Sequence, residues 1–237
     1  MKTLLLAAGV ALAGSCAFAS VCTTGTLASY ETSGFSCTIG NLQFSNFTNT
    51  DSAQPSGDAI GAGGITVNPI SDGFVFSASW SVTTQSNNTS SSQDDTIYYT
   101  VTALNGVKID DIFLSFNGSF VGNGSTGVTE DYCLATTTPV PTCSDPSTPI
   151  TVTNPPPDNP SQVSFSPVTE LTVSKDISVS SGTDYSSGDS MYPSEASISN
   201  VTNAFSTTGV PEPGTMLLLG CGLLGVGLVR RSTRRRE

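Results

Sequence analysis

The sequence predicts an all-β fold: a β-sandwich or jelly-roll-like exported domain, followed by one short C-terminal transmembrane helix. Apolar and polar residues alternate over several short segments, which is the pattern of strands with one buried face. Turns rich in Ser, Thr, Asn and Gly separate the segments, and no amphipathic helical pattern lies between the two hydrophobic ends of the chain. Many short strands joined by such turns are typical of two packed sheets.

The clearest predicted strand is Phe74 to Val82, which places the single tryptophan, Trp80, on its apolar face. Three other segments alternate in the same way: Thr96 to Leu104; Ile112, Leu114 and Phe116, up to an interruption at Gly118; and Leu171 to Val179, where Lys175 breaks the apolar face. Weaker strands are predicted at residues 42–47, 64–67, 127–134, 162–165 and 194–205. The proline-rich residues 136–160 and residues 180–193 are predicted loops.

The N-terminal residues 1–19 have the pattern of a secretory signal peptide. One lysine precedes an apolar run, and the small residues of Ala17-Phe18-Ala19 predict cleavage between Ala19 and Ser20. The alternative is a lipoprotein signal that uses Cys16, but the residues before it lack the expected leucine.

The C-terminal apolar run from Met216 to Val229 has 14 residues, which is short for a membrane span. Extending it to residues 214–231, with arginines reaching the headgroups, gives a predicted transmembrane helix. All five arginines of the chain follow this run, so the tail at residues 232–237 is predicted to be cytoplasmic. A buried core helix is the alternative. The predicted exported domain is then residues 20–205, with a linker and Pro-Glu-Pro segment at 206–213.

Val210-Pro211-Glu212-Pro213, the short Leu- and Gly-rich segment and the arginine tail together resemble the C-terminal sorting signal of PEP-CTERM proteins of Gram-negative bacteria. The resemblance implies recognition of Pro211, Glu212 and Pro213 by an exosortase, a membrane protease or transpeptidase. It also implies a link to extracellular polysaccharide and biofilm. An uncut tail anchor is the alternative. Residues 25–30, 37–40 and 44–47 are similar to an exported β-domain that recurs before such signals and has no assigned activity.

The exported residues carry 17 of the 19 acidic residues but only two of the eight basic ones, Lys108 and Lys175, for a net charge of −15. Such a charge disfavours nucleic acid as a partner. The chain has no histidine, and its arginines all lie in the tail. Nucleophile–histidine catalysis and histidine metal sites are therefore excluded, which leaves carboxylate chemistry.

Four cysteines lie in the exported part, where an oxidising compartment favours two disulfides. Of three connectivities we favour Cys22 with Cys37 and Cys133 with Cys143, because each closes a short loop.

Three acidic pairs are the remaining candidates for chemistry: Asp94 and Asp95, Asp110 and Asp111, and Glu130 and Asp131. At strand ends their oxygens could collect a calcium ion. The alternative is a solvated acidic rim, since adjacent strand residues point to opposite faces.

The sequence thus predicts a non-enzymatic surface or matrix protein without a resident cofactor, exported as an inner-membrane-anchored precursor and then delivered to the cell surface or released. The alternative is a carbohydrate-binding or carbohydrate-active domain. Buried Trp80 disfavours a sugar site, whereas surface tyrosines such as Tyr98, Tyr185 and Tyr192 keep it open.

Overall fold

The strands form where the sequence alternates between apolar and polar residues. In the segment Gly73–Thr83, Phe74, Phe76 and Trp80 are fully buried, while the serines between them face outward. The alternation is that of a sheet with one face packed on a core. The prediction of an all-β fold is therefore confirmed.

The computed structural model describes residues 20–54, 59–85, 88–134, 149–154, 160–187 and 190–209. The strands are β1 Ser20–Val21, β2 Gly25–Thr26, β3 Ser36–Ile39, β4 Leu42–Gln54, β5 Thr66–Pro69, β6 Gly73–Thr83, β7 Ser92–Ala103, β8 Lys108–Val121, β9 Ser125–Leu134, β10 Ile150–Asn154, β11 Ser161–Val168, β12 Glu170–Ser180, β13 Tyr185–Ser187, β14 Ser190–Tyr192 and β15 Glu195–Thr208. The helix α1 spans Leu27–Tyr30, and a 3-10 turn spans Ala62–Gly64.

Two large sheets contain nearly all of the strands. The seven-stranded sheet has the order β1-β3-β4-β7-β12-β9-β10, and the six-stranded sheet has the order β11-β8-β15-β6-β5-β2. Strands β13 and β14 form a separate hairpin. The long strands β7, β12 and β9 pair antiparallel in the middle of the seven-stranded sheet, and β15 lies between β8 and β6 in the other.

The inner faces of the two sheets pack against each other. Phe44 of β4 contacts Phe74 of β6 across the interface, with ring centroids 4.6 Å apart, and Tyr99 of β7 lies 6.4 Å from Phe205 of β15. The continuous core extends along the chain from Cys22 to Phe205. The described residues between 20 and 209 therefore share one hydrophobic core, as segments that fold as one domain do.

A single helical turn, α1, was not predicted, because only strands were expected between the chain ends. Leu27 and Tyr30 are three residues apart, so one helical turn directs both side chains into the core. The Tyr30 hydroxyl donates to the Thr23 carbonyl oxygen at 2.6 Å. A four-residue turn is too short to leave an amphipathic period in the sequence.

Several predicted boundaries also differ from the observed ones. Strand β8 runs through Gly118 without a break; a Cβ at this position would lie 2.7 Å from the Ser197 carbonyl oxygen, so glycine there permits close approach of β15. Strand β4 continues beyond residue 47 through a bulge at Asn46, whose φ is 58°. The predicted loop at 180–193 contains the β13–β14 hairpin.

The last strand ends at Thr208, three residues beyond the predicted domain boundary at 205, because β15 remains paired with β8 to that point. No helix in the part of the chain that the structure describes is long and apolar enough to cross a membrane. The predicted membrane helix at 214–231 and the tail at 232–237 lie outside the described residues, as does the signal peptide at 1–19.

Candidate functional site

A group of polar side chains lies between the two sheets, inside the hydrophobic core. Lys175 of β12 and Glu130 of β9 are register partners on neighbouring strands, and both side chains are fully buried. Lys175 Nζ donates to Glu130 Oε2. The interruption of the apolar pattern at Lys175 thus marks a charged residue that faces the core and is paired there.

Two residues complete this group, which we call the buried cluster: Lys175, Glu130, Asn203 and Tyr99. Asn203 Nδ2, from β15 of the opposite sheet, donates to Glu130 Oε1 at 3.2 Å and to the Phe113 carbonyl oxygen at 3.0 Å. The Tyr99 hydroxyl donates to Asn203 Oδ1. The cluster therefore joins three strands of the seven-stranded sheet, β7, β12 and β9, to β15, an interior strand of the six-stranded sheet.

Burial is the largest influence on the pKa values of the cluster. It lowers the pKa of the Lys175 ammonium, although the Glu130 carboxylate acts in the opposite direction. Burial likewise raises the pKa of Glu130 against the stabilising effect of Lys175 and Asn203, and it raises the pKa of Tyr99. Because a charged group loses hydration in the core, burial favours the neutral form of each of these three side chains.

A second polar link crosses the core at Trp80 and Asp95. Trp80 Nε1 donates to Asp95 Oδ2 at 2.5 Å, and both residues are fully buried. Burial raises the pKa of Asp95 to about 7, although hydrogen bonding from Trp80 and Asn49 favours the carboxylate. The prediction that Trp80 lies on an apolar, buried face agrees with this position.

The six predicted calcium residues do not converge. Asp95 and Glu130 point into the core, while their neighbours Asp94 and Asp131 lie on the outer face of the seven-stranded sheet. There they lie near Asp176, which is exposed but partly shielded by its neighbours; this partial desolvation and then the nearby Asp94 and Asp131 carboxylates raise the pKa of Asp176.

The third predicted pair, Asp110 and Asp111, lies on β8. Asp111 accepts hydrogen bonds from Gln162 Nε2 at 3.0 Å and the Ser206 amide at 3.2 Å, so its carboxylate links β8 to β11 and β15. Within the described ranges, no three His, Cys, Asp or Glu side chains form a group that could hold a metal ion.

One disulfide joins Cys22 to Cys37, the first of the two favoured pairings, with their Cα atoms 4.8 Å apart. Cys133 is also disulfide-bonded. Because Cys22 and Cys37 are bonded to each other, the partner of Cys133 lies outside the described residues. Cys143 is among those residues, so its pairing with Cys133 stays a prediction.

The end of the domain leads directly into the C-terminal segment. The family model of the PEP-CTERM protein-sorting motif matches residues 209–235, and so begins at the residue after β15 ends. The chain carries a PEP-CTERM sorting signal. The PEP-CTERM signal implies export and exosortase-dependent sorting to the cell surface. No curated protein matches the chain.

The PEP-CTERM segment itself, with Pro211, Glu212 and Pro213, lies outside the described residues, as does Ala19 of the predicted cleavage site. Ser20, on the other side of that site, begins β1. The buried cluster was not identified from the sequence as a site. The one signal that could have pointed to it was Lys175, a charged residue at an inward position of an apolar strand.

Proposed function

We propose that the chain is a non-enzymatic surface protein of the extracellular matrix or biofilm, whose acidic β-domain associates with extracellular polysaccharide. In this proposal residues 214–231 hold the precursor in the inner membrane until an exosortase processes it. The protein then remains at the cell surface or is released. The proposal includes no resident cofactor.

The observation that carries the proposal is the outer face of the seven-stranded sheet. An open depression of about 340 Å³ crosses β9, β10 and β12 there. Hydroxyl groups line it, among them Thr129, Thr151 and Ser178, together with Asn154 and Asp176. Hydroxyl, amide and carboxylate groups are suited to hydrogen bonds with a hydrated polymer, either directly or through water.

The positions of the carboxylates support a role without catalysis. Asp95 and Glu130, which have raised pKa values, are enclosed in the core and out of reach of a polymer.

The alternative, a carbohydrate-binding or carbohydrate-active domain, has one observation in its favour. In the β13–β14 hairpin the rings of Tyr185 and Tyr192 lie 5.8 Å apart, and Tyr192 is 45% exposed. Exposed aromatic rings provide flat apolar surfaces on which sugar rings can pack. This would place a sugar site at the hairpin instead of the sheet face.

The test is a glycan-array and polysaccharide co-sedimentation screen of residues 20–209, exported to an oxidising periplasm, with calcium and with a chelator. The proposal expects polysaccharide binding that weakens in an Asp176→Asn, Thr151→Val double variant. As a matched control, Ser199→Ala alters the depression on the other sheet and should have no effect. Loss of binding only in Tyr192→Ala would favour the alternative, and no binding under either condition would contradict both.

A further inference from the structure

The buried cluster is costly to maintain as a set of separate side chains. An ion pair taken fully out of water gains little net stability, and a well-packed apolar pair of similar volume is often as stable or more so. Lys175 and Glu130 nevertheless lie in a core that is otherwise apolar around them, with Ile97 opposite Lys175 on β7 and Ile150 opposite Glu130 on β10. Stability alone therefore does not explain why a lysine and a glutamate are buried together at this position.

The geometry holds a nucleophile, the Lys175 amine, and an electrophile, the side-chain amide of Asn203, against the same Glu130 carboxyl group. One oxygen of Glu130 contacts the Lys175 amine, and the other accepts from the Asn203 amide nitrogen at 3.2 Å. The two nitrogens are therefore held side by side at adjacent oxygens. On the far side of the amide, the Tyr99 hydroxyl donates to Asn203 Oδ1, which polarises the carbonyl carbon between them.

We propose that Lys175 and Asn203 become joined by an intramolecular isopeptide bond, formed with Glu130 as the proton carrier. Lys175 Nζ attacks Asn203 Cγ, so that a new C–N bond forms while the bond from Cγ to Nδ2 breaks. One proton passes from Nζ to Nδ2 through Glu130, and ammonia leaves. No oxidant, reductant or further reactant is needed.

Each residue has a defined role in this reaction. The amine must be neutral to attack, and burial lowers the pKa of Lys175 in that direction. Glu130, whose pKa burial raises, can hold a proton and exchange it with both nitrogens. The Tyr99 hydroxyl lies where negative charge develops on Asn203 Oδ1, as an oxyanion-stabilising donor does.

The bond would join β12 of the seven-stranded sheet to β15 of the six-stranded sheet. Strand β15 ends at Thr208, immediately before the sorting motif begins at residue 209. A covalent link at Asn203 would fix the strand from which the C-terminal segment leaves the domain. Pulling on that segment would then load the cross-link instead of opening the two sheets.

The low number of basic residues provides a direct test. Trypsin cleaves after Lys or Arg, and residues 20–209 contain only Lys108 and Lys175. A lysine in an amide bond is not cleaved. The reduced, denatured domain should therefore give two fragments, 20–108 and 109–209, and an intact mass lower by one ammonia molecule. Cleavage at Lys108 is the internal control for complete digestion.

An unlinked domain would give three fragments, with residues 109–175 and 176–209 separated, and this result would overturn the proposal. Ammonia can also be lost when an Asn-Gly pair, such as Asn117-Gly118, forms a succinimide. A mass deficit with normal cleavage at Lys175 would therefore overturn it as well. Fragment spectra that join the Lys175 and Asn203 peptides would support it.

Two variants test the roles of the neighbouring residues. Glu130→Gln keeps the side-chain volume but cannot relay the proton, so we expect the full mass and three tryptic fragments. Tyr99→Phe keeps the ring in the core and should slow bond formation without abolishing it. An unchanged circular dichroism spectrum and an intact Cys22–Cys37 disulfide verify folding. Bond formation in Glu130→Gln at the parental rate would overturn the role of Glu130.

Discussion

Replacing Asp95 by asparagine should abolish one pH-dependent component of stability. Burial raises the pKa of Asp95 from its ordinary value of 3.8 to about 7. Between these values the folded state holds a proton on Asp95 that the unfolded state has released. Stability must therefore fall as the pH rises through this window, by about 1.4 kcal/mol per pH unit and up to about 4 kcal/mol in total.

The amide introduced by Asp95→Asn retains an oxygen that can accept from Trp80 Nε1, and it never ionises. Its nitrogen can also donate toward Asn49, whose Oδ1 is buried without a hydrogen-bond partner in the structure. The free energy of unfolding of the Asp95→Asn variant should equal that of the parent at about pH 4. At pH 8 it should be higher than that of the parent by up to about 4 kcal/mol. The advantage should grow steadily between those two values.

The assay is urea unfolding at several pH values between these limits, followed by the fluorescence of the single tryptophan, Trp80. Other titrating groups are shared by the two proteins and cancel in the difference. Glu195→Gln, which removes one carboxylate at an exposed position, is the matched control. A difference in stability between Asp95→Asn and the parent that does not change with pH would refute the argument from burial.

Two further changes have clear expected results. Gly73→Ala should lower the free energy of unfolding by about 3 kcal/mol in urea unfolding, because its Cβ would lie 2.0 Å from the Asn203 carbonyl oxygen. Gly63→Ala, with no atom within 4 Å of the new Cβ, should change it by less than about 1 kcal/mol, and equal losses would contradict the steric explanation. Replacing both Pro211 and Pro213 by alanine should cause uncut precursor to accumulate on an immunoblot in an exosortase-containing host, because the proposed membrane helix at residues 214–231 could then extend outward through the segment. Processing at the parental rate would show that the segment is only a linker.

Local periodicity determined the strands. The alternation from Phe74 to Val82 was sufficient to predict β6 and the buried face of Trp80, because successive side chains on a strand must point to opposite sides. The same rule correctly separated Asp94 from Asp95. The sorting motif was also readable from the sequence, since it depends on a short contiguous order of residues and is matched at 209–235.

Only the tertiary structure determined which residues form the buried cluster. Lys175 is visible in the sequence as a charged residue that interrupts an apolar strand face. Glu130, however, is 45 residues away from it, and Asn203 is 73 residues from Glu130. Their meeting depends on β12 pairing with β9 and on β15 facing them from the other sheet. Side-chain alternation fixes which face a residue occupies; strand order and sheet packing, which arise from closing the whole core, fix which residues meet across it.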